Sequence, residues 1–158
     1  MVESAVREEA KRPDAKQADL YSWARRQAEL LRAGRLSEID AAAIAEEIDD
    51  VGEEQYDKLE SAFRVLMLHL LNWEHQPSMR SRSWTPTIRE QRRRAERQLR
   101  KNPGLRSQLD DALEAAYEDA RLDAANETGL PLSVFAAQRP FEHAEIMQRS
   151  IVWPGDED

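Results

Sequence analysis

Residues Ser37 to Pro77 read SEIDAAAIAEEIDDVGEEQYDKLESAFRVLMLHLLNWEHQP. One series, apolar but for Gln55, recurs here at steps of three and four: Ile44, Ile48, Val51, Gln55, Leu59, Ala62, Leu66, Leu70, Trp73. That is the period of one helix face. Ser37 is placed to cap the start, with Asp40 in the position of a short capping box. Pro77 ends the run, because the residue before a proline is pushed out of helical geometry. Unbroken to His75, such a helix would be about 58 Å long at ~1.5 Å per residue. Gly52 is where it can split or bend, at a helix cost of ~1 kcal/mol relative to Ala.

Working outward, Met1–Ala18 is polar and aperiodic, and is expected to be a flexible tail. Asp19 suits the N-cap of a first helix. Leu20, Trp23, Ala24, Gln27, Leu30 and Leu31 form its stripe, and Gly34 its left-handed stop. After Pro77, Ser83 or Thr85 can cap a helix with Pro86 in its first turn. Trp84, Ile88, Ala95 and Leu99 give it a thin apolar stripe. Asn102–Gly104 reads as a turn. A further helix is expected over about Leu105–Glu127, burying Leu109, Ala112, Leu113, Ala116, Tyr117, Ala120 and Ala124. Thr128, Gly129 and Pro131 stop it. A short helix begins near Phe141, and Trp153 docks the end of the chain before an acidic tail, 155–158. Strand-like alternation is absent. The expectation is all-α: a single domain over 19–154, a helical bundle of four or five helices with one long helix.

Composition excludes several functions. The 158 residues contain no cysteine, which removes disulfide scaffolds, cysteine nucleophiles and Cys-ligated zinc. No apolar run approaches the ~20 residues that span a bilayer, and Met1–Ala18 lacks the apolar segment of a secretory signal. No membrane association and a cytoplasmic location are the default. The net charge of −8 argues against nucleic-acid binding by the surface as a whole.

One segment runs against that charge. Arg80–Lys101 holds nine Lys/Arg against Glu90 and Glu96, a local +7. Arg89, Arg92, Arg93, Arg97 and Arg100 do not all fit one face, so this helix is expected to be basic around most of its circumference. Glu38–Glu60 carries ten carboxylates and Asp110–Glu127 seven. Internal pairing or a solvated face is the commonest use of such a helix. A surface for an acidic protein partner comes next. Direct RNA or DNA binding by phosphate contacts is the least supported. The candidate partner-binding residues are Arg82, Trp84, Arg89 and Arg93.

A metal-dependent hydrolase or metal-binding site has only weak candidates, Glu47, Asp50 and His69. No Glu-x-x-His pair lies on a helix, as two-metal bundles require, and no cofactor is expected. His69 reads as a neutral core-edge histidine bonded to a carbonyl or carboxylate. His75 suits a helix C-terminus. The four tryptophans read as core or core-edge anchors. No glycine elbow surrounds a serine, and no Gly-x-x-x-x-Gly-Lys string occurs, so no catalytic residue is assigned. The apolar edges of the long helix leave room for a homodimer.

Blocks of residues also resemble a known family. They are Trp23 with Gln27, Ala28, Leu30, Leu31, Arg32 and Gly34, Ala45–Ile48 with Gly52, and His69-Leu70-Leu71 with Trp73, Gln76 and Pro77. Ser83-Trp84, Ile88, Gln91 and Arg92 follow, then Tyr117, Ala120, Arg121 and Glu127–Leu130. Over roughly Asp19–Pro154 the chain resembles the bacterial family known as domain of unknown function 29. Asn72 departs from it where a Lys is usual, and Ala136 where a Pro is common. The resemblance implies a compact α-helical bacterial protein and brings no activity, cofactor or catalytic residue.

Overall fold

The computed structural model describes residues 15–153. They form six helices: α1 (Ala15–Ala18), α2 (Leu20–Arg32), α3 (Ala41–His75), α4 (Trp84–Lys101), α5 (Leu109–Thr128) and α6 (His143–Gln148), with short 3₁₀ turns between them. No strand occurs among the described residues. The all-α expectation holds, with α1 as an added turn of helix at the end of the expected N-terminal tail. The rest of that tail, and the acidic residues 155–158, lie outside the described residues.

Local chemistry sets the helix ends. The Asp19 carboxylate accepts from the Ser22 amide at 3.0 Å and starts α2. Gly34, at φ +69°, closes it. The Arg35 amide bonds the Leu30 carbonyl and the Gly34 amide the Leu31 carbonyl, the paired bonds of a Schellman stop. α3 does not begin at Ser37. Leu36–Glu38 is a 3₁₀ turn, and Asp40 is the cap, its carboxylate accepting from the Ala43 amide at 3.1 Å. Gln27 holds the Asp40 amide at 2.8 Å, fixing the chain's entry angle. The helix then runs 35 residues without interruption at Gly52. α5 starts at Leu109 rather than Leu105, because Pro103–Gln108 winds as 3₁₀ first. Gly129, again at φ +69°, stops it.

The chain divides into two compact units, with the division inside α3: one up to Val51 and one from Gly52. The first unit buries Trp23, Leu30 and Ala43. The apolar stripe read from its sequence is only partly covered. Ile48 is 66% exposed and Val51 61%, and Leu20 and Leu31 are also exposed. Helical spacing puts these residues on a face; it does not put a neighbour over that face.

The second unit holds the core. Leu59, Phe63, Leu66, Met67, Leu70 and Leu71 of α3 pack with Ile88, Ala95 and Leu99 of α4. The α5 face that was read from sequence joins them: Ala112, Leu113, Ala116, Tyr117, Ala120 and Ala124. Phe135, Phe141, Ile146 and Ile151 close it from the C-terminal segment. Small residues on α5 allow close helix approach, and the buried Tyr117 satisfies its hydroxyl by donating to the Ala136 carbonyl at 2.7 Å. Arg64 of α3 grips α5 through a two-pronged bond to Asp123 (2.7 and 3.0 Å) and a third to Asp119 at 3.1 Å.

Four other arginines fasten irregular segments by donating to backbone carbonyls. Arg80 reaches Trp73, Arg92 reaches Ile146 and Arg149, Arg121 reaches Phe135 and Leu132, and Arg139 reaches Phe141. Each guanidinium satisfies a carbonyl that no helix or strand would satisfy.

Candidate functional site

The basic helix α4 owes its orientation to a narrow apolar side. Ile88, Ala95 and Leu99 are buried, and Gln98 donates to the Gln55 backbone carbonyl at 2.8 Å and to its side chain at 3.0 Å. The opposite side faces water. At 3.6 residues per turn, Arg89, Arg93, Arg97 and Arg100 fall within roughly 80° of arc, and all four are exposed. Arg94 and Lys101 extend the same exposed side. Arg92 turns the other way, half-buried against the C-terminal segment. The helix is thus basic on its outward face and not around most of its circumference, because its inward side carries the core contacts.

Among the described residues, ion pairs neutralise little of that charge. Arg93 and Arg94 share one carboxylate, Glu90, at 2.9 and 3.1 Å. Those two guanidiniums, Arg94 first, hold the Glu90 carboxyl below the usual carboxylate range. Among the described residues no ion pair links α4 to the acidic helices α3 and α5. Those helices are tied instead by Arg64, which engages Asp119 and Asp123. Glu54 and Asp57 share with Arg94 and Arg97 the walls of an open groove of about 380 Å³ without pairing to them.

The other residues read from sequence are placed as follows. Trp84 is half-buried at the start of α4. Its ring stands 6.1 Å from His69, edge-on, and 6.3 Å from Trp73, tilted. The Arg80 guanidinium lies over the Trp73 ring, 4.4 Å from its centroid. The rings of Trp73 and Trp84, which flank the connecting loop, are thus in contact with each other. Arg82 is exposed just before α4. His69 donates from Nδ1 to the Val65 carbonyl at 2.9 Å, the core-edge arrangement. His75 closes α3 edge-on to Phe135 at 4.7 Å.

Glu47 and its neighbour Glu46 pair with Lys16, at 3.0 and 2.9 Å. That pairing raises the Lys16 pKa, with Glu46 the larger cause. Asp50 is exposed on α3. Among the described residues no group of three or more His, Asp or Glu side chains stands close enough to hold a metal ion, and no helix is long and apolar enough to cross a membrane.

Sequence reasoning missed Arg92 and Arg149 as a facing pair across α4 and the C-terminal segment. It also missed the buried Thr85 hydroxyl beside them. One signal was available: Arg92 sits three residues before Ala95 and four after Ile88, at the edge of the apolar stripe, where a charged side chain must turn inward or snorkel.

The family model described as "Domain of unknown function DUF29" matches residues 17–152. No curated protein and no solved structure matches the chain.

Proposed function

The chain belongs to the DUF29 family, and on the charge distribution of α4 we propose that it works as a non-catalytic protein-interaction module whose partner presents an acidic surface. The observation that carries this reading is the outward face of α4. Arg89, Arg97, Arg100 and Lys101 have no ion pair among the described residues, and Arg93 and Arg94 have half a carboxylate each. The rest of the chain is strongly acidic. A single-signed stripe of this kind steers an oppositely charged surface into register and raises its on-rate. Arg82 lies at the N-terminal end of the stripe. Trp84 contributes the part of its ring that the core leaves exposed, so the recognition is more electrostatic than apolar.

The test is affinity purification of the tagged full chain from its native cells, with mass spectrometry of what accompanies it, for wild type and for Arg89→Glu/Arg93→Glu. The double change is expected to abolish capture of a stoichiometric partner. Thermal stability should stay near wild type, since exposed substitutions usually shift stability by no more than about 0.5 kcal/mol. A folded double variant that retains the same partner would sink the reading, as would one that unfolds.

A further inference from the structure

The C-terminal segment Gln148–Val152 lies along the first turns of α4, and the two enclose a cleft of about 230 Å³. Thr85, Arg89, Arg92 and Arg149 bring polar groups to it, with Ile88 and Ile151 as apolar wall. No carboxylate of the described residues lines it. Of the three guanidiniums, only Arg149 is compensated, by Glu74 and Glu145 outside the cleft. Arg92 donates its Nε and one Nη to the Ile146 and Arg149 carbonyls at 2.9 and 2.8 Å. These are neutral acceptors, so its charge is half-buried without a counter-ion among the described residues. Burial pulls its pKa down accordingly. Arg89 has no ion pair among the described residues. The Thr85 hydroxyl oxygen is buried and has no hydrogen-bond partner among the described residues.

Two separate facts therefore call for a missing group at one place. A buried hydroxyl without a partner is costly and rare in native proteins, and a half-buried cation without an anion carries part of the cost of a buried one. A single oxyanion in the cleft accepts from the remaining guanidinium N–H groups and neutralises Arg92 and Arg89, and a turn of the Thr85 side chain, whose oxygen is closed to water in this conformation, brings the hydroxyl to it. A water claims ~30 Å³ of liquid, so the cleft has room for a tetrahedral anion with part of its hydration. We propose that this cleft binds a phosphate-class oxyanion, either free or as a phosphomonoester. The site does not depend on α4 meeting a protein: Arg93 belongs to the outward stripe and lies outside the cleft, so the two readings separate there.

The experiment is a titration of the full chain with inorganic phosphate, followed by calorimetry and by melting temperature, against sodium chloride at matched ionic strength. Saturable binding and a rise in melting temperature beyond the chloride control are expected. Arg89→Gln should weaken phosphate about tenfold, as loss of a charge-assisted bond does. Thr85→Val should weaken it severalfold, and Arg93→Gln should leave it within about twofold. Phenyl phosphate identifies the source: binding as tight as phosphate supports an esterified ligand, and exclusion supports the free anion. No response beyond chloride overturns the proposal. So does a response that survives both Arg89→Gln and Thr85→Val, or one that Arg93→Gln reduces as much as Arg89→Gln. None of these results bears on partner capture through Arg93.

Discussion

His143 opens α6 with its ring edge-on to Phe63 at 5.9 Å, and its Nε2 is buried without a partner. Burial pushes its pKa below the ordinary 6.5; Asp110 pulls the other way and Arg139 adds to the lowering. The folded state thus favours neutral imidazole, while the unfolded chain takes a proton as pH falls through about 6.5. The contribution to stability is complete above that value and is lost below it, down to the folded-state pKa. Glu60, whose carboxyl burial raises, acts in the opposite direction and is common to both chains of the comparison. Melting curves between about pH 7.5 and pH 5 should therefore fall more steeply for wild type than for His143→Phe. Parallel curves would show that His143 titrates as it does in water. From the sequence this histidine was only a neighbour of Glu142. Its burial arises from Phe63, 80 positions away, which no local pattern reports. The tryptophans were more legible. Trp23 and Trp73 are buried and Trp84 and Trp153 partly so, because a large apolar ring at helical spacing has few other uses.

At the scale of elements, the glycines separate helix interior from helix end. Gly52 lies exposed inside an unbroken α3, and a Cβ there would meet nothing within 4 Å. Gly129 also has open space, but its φ of +69° is one that side chains disfavour. Gly52→Ala should raise stability by about 0.5–1 kcal/mol, and Gly129→Ala should lower it by about 1 kcal/mol, read as shifts of the urea midpoint at constant slope. A loss on Gly52→Ala would mean that α3 bends at that point after all. Helix existence, the α5 core face and both left-handed stops were legible, since spacing and glycine chemistry are local. Two starts were not. Ser37 and Asp40 both cap well, and the choice was made by Gln27 holding the Asp40 amide from α2. Leu105 fits the helical period of α5, yet the proline-led turn before Leu109 winds more tightly.

For the molecule as a whole, burial is very unequal between the units. Among the described residues, the unit from Gly52 owns nearly all the large buried side chains, whereas the unit up to Val51 buries three apolar residues. Amide hydrogen exchange should accordingly be slowest over Leu59–Leu71 and Ala112–Ala124, and distinctly faster over Trp23–Leu30. Uniform protection would show that the two units open as one. The candidate surface was legible in part. A +7 segment in a −8 chain was visible at once, but which arginines face outward depended on the register of α4 over its core. The cleft beside Thr85 was invisible, because it needs Gln148–Val152 folded back on residues some sixty positions earlier. Arg80, Arg92, Arg121 and Arg139 carry a different implication. Arg80, Arg92 and Arg121 place two N–H groups of the flat, forked guanidinium on backbone oxygens, and Arg139 divides its fork between the Phe141 carbonyl and the Glu114 carboxylate. An ammonium group does not share that shape. Substitution tables rank Arg-to-Lys among the gentlest exchanges. At these four positions that ranking inverts: the charge would survive and the attachment would not, so lineages of this chain should drift freely between the two residues on the outer face of α4 and scarcely at all at the four loop fasteners.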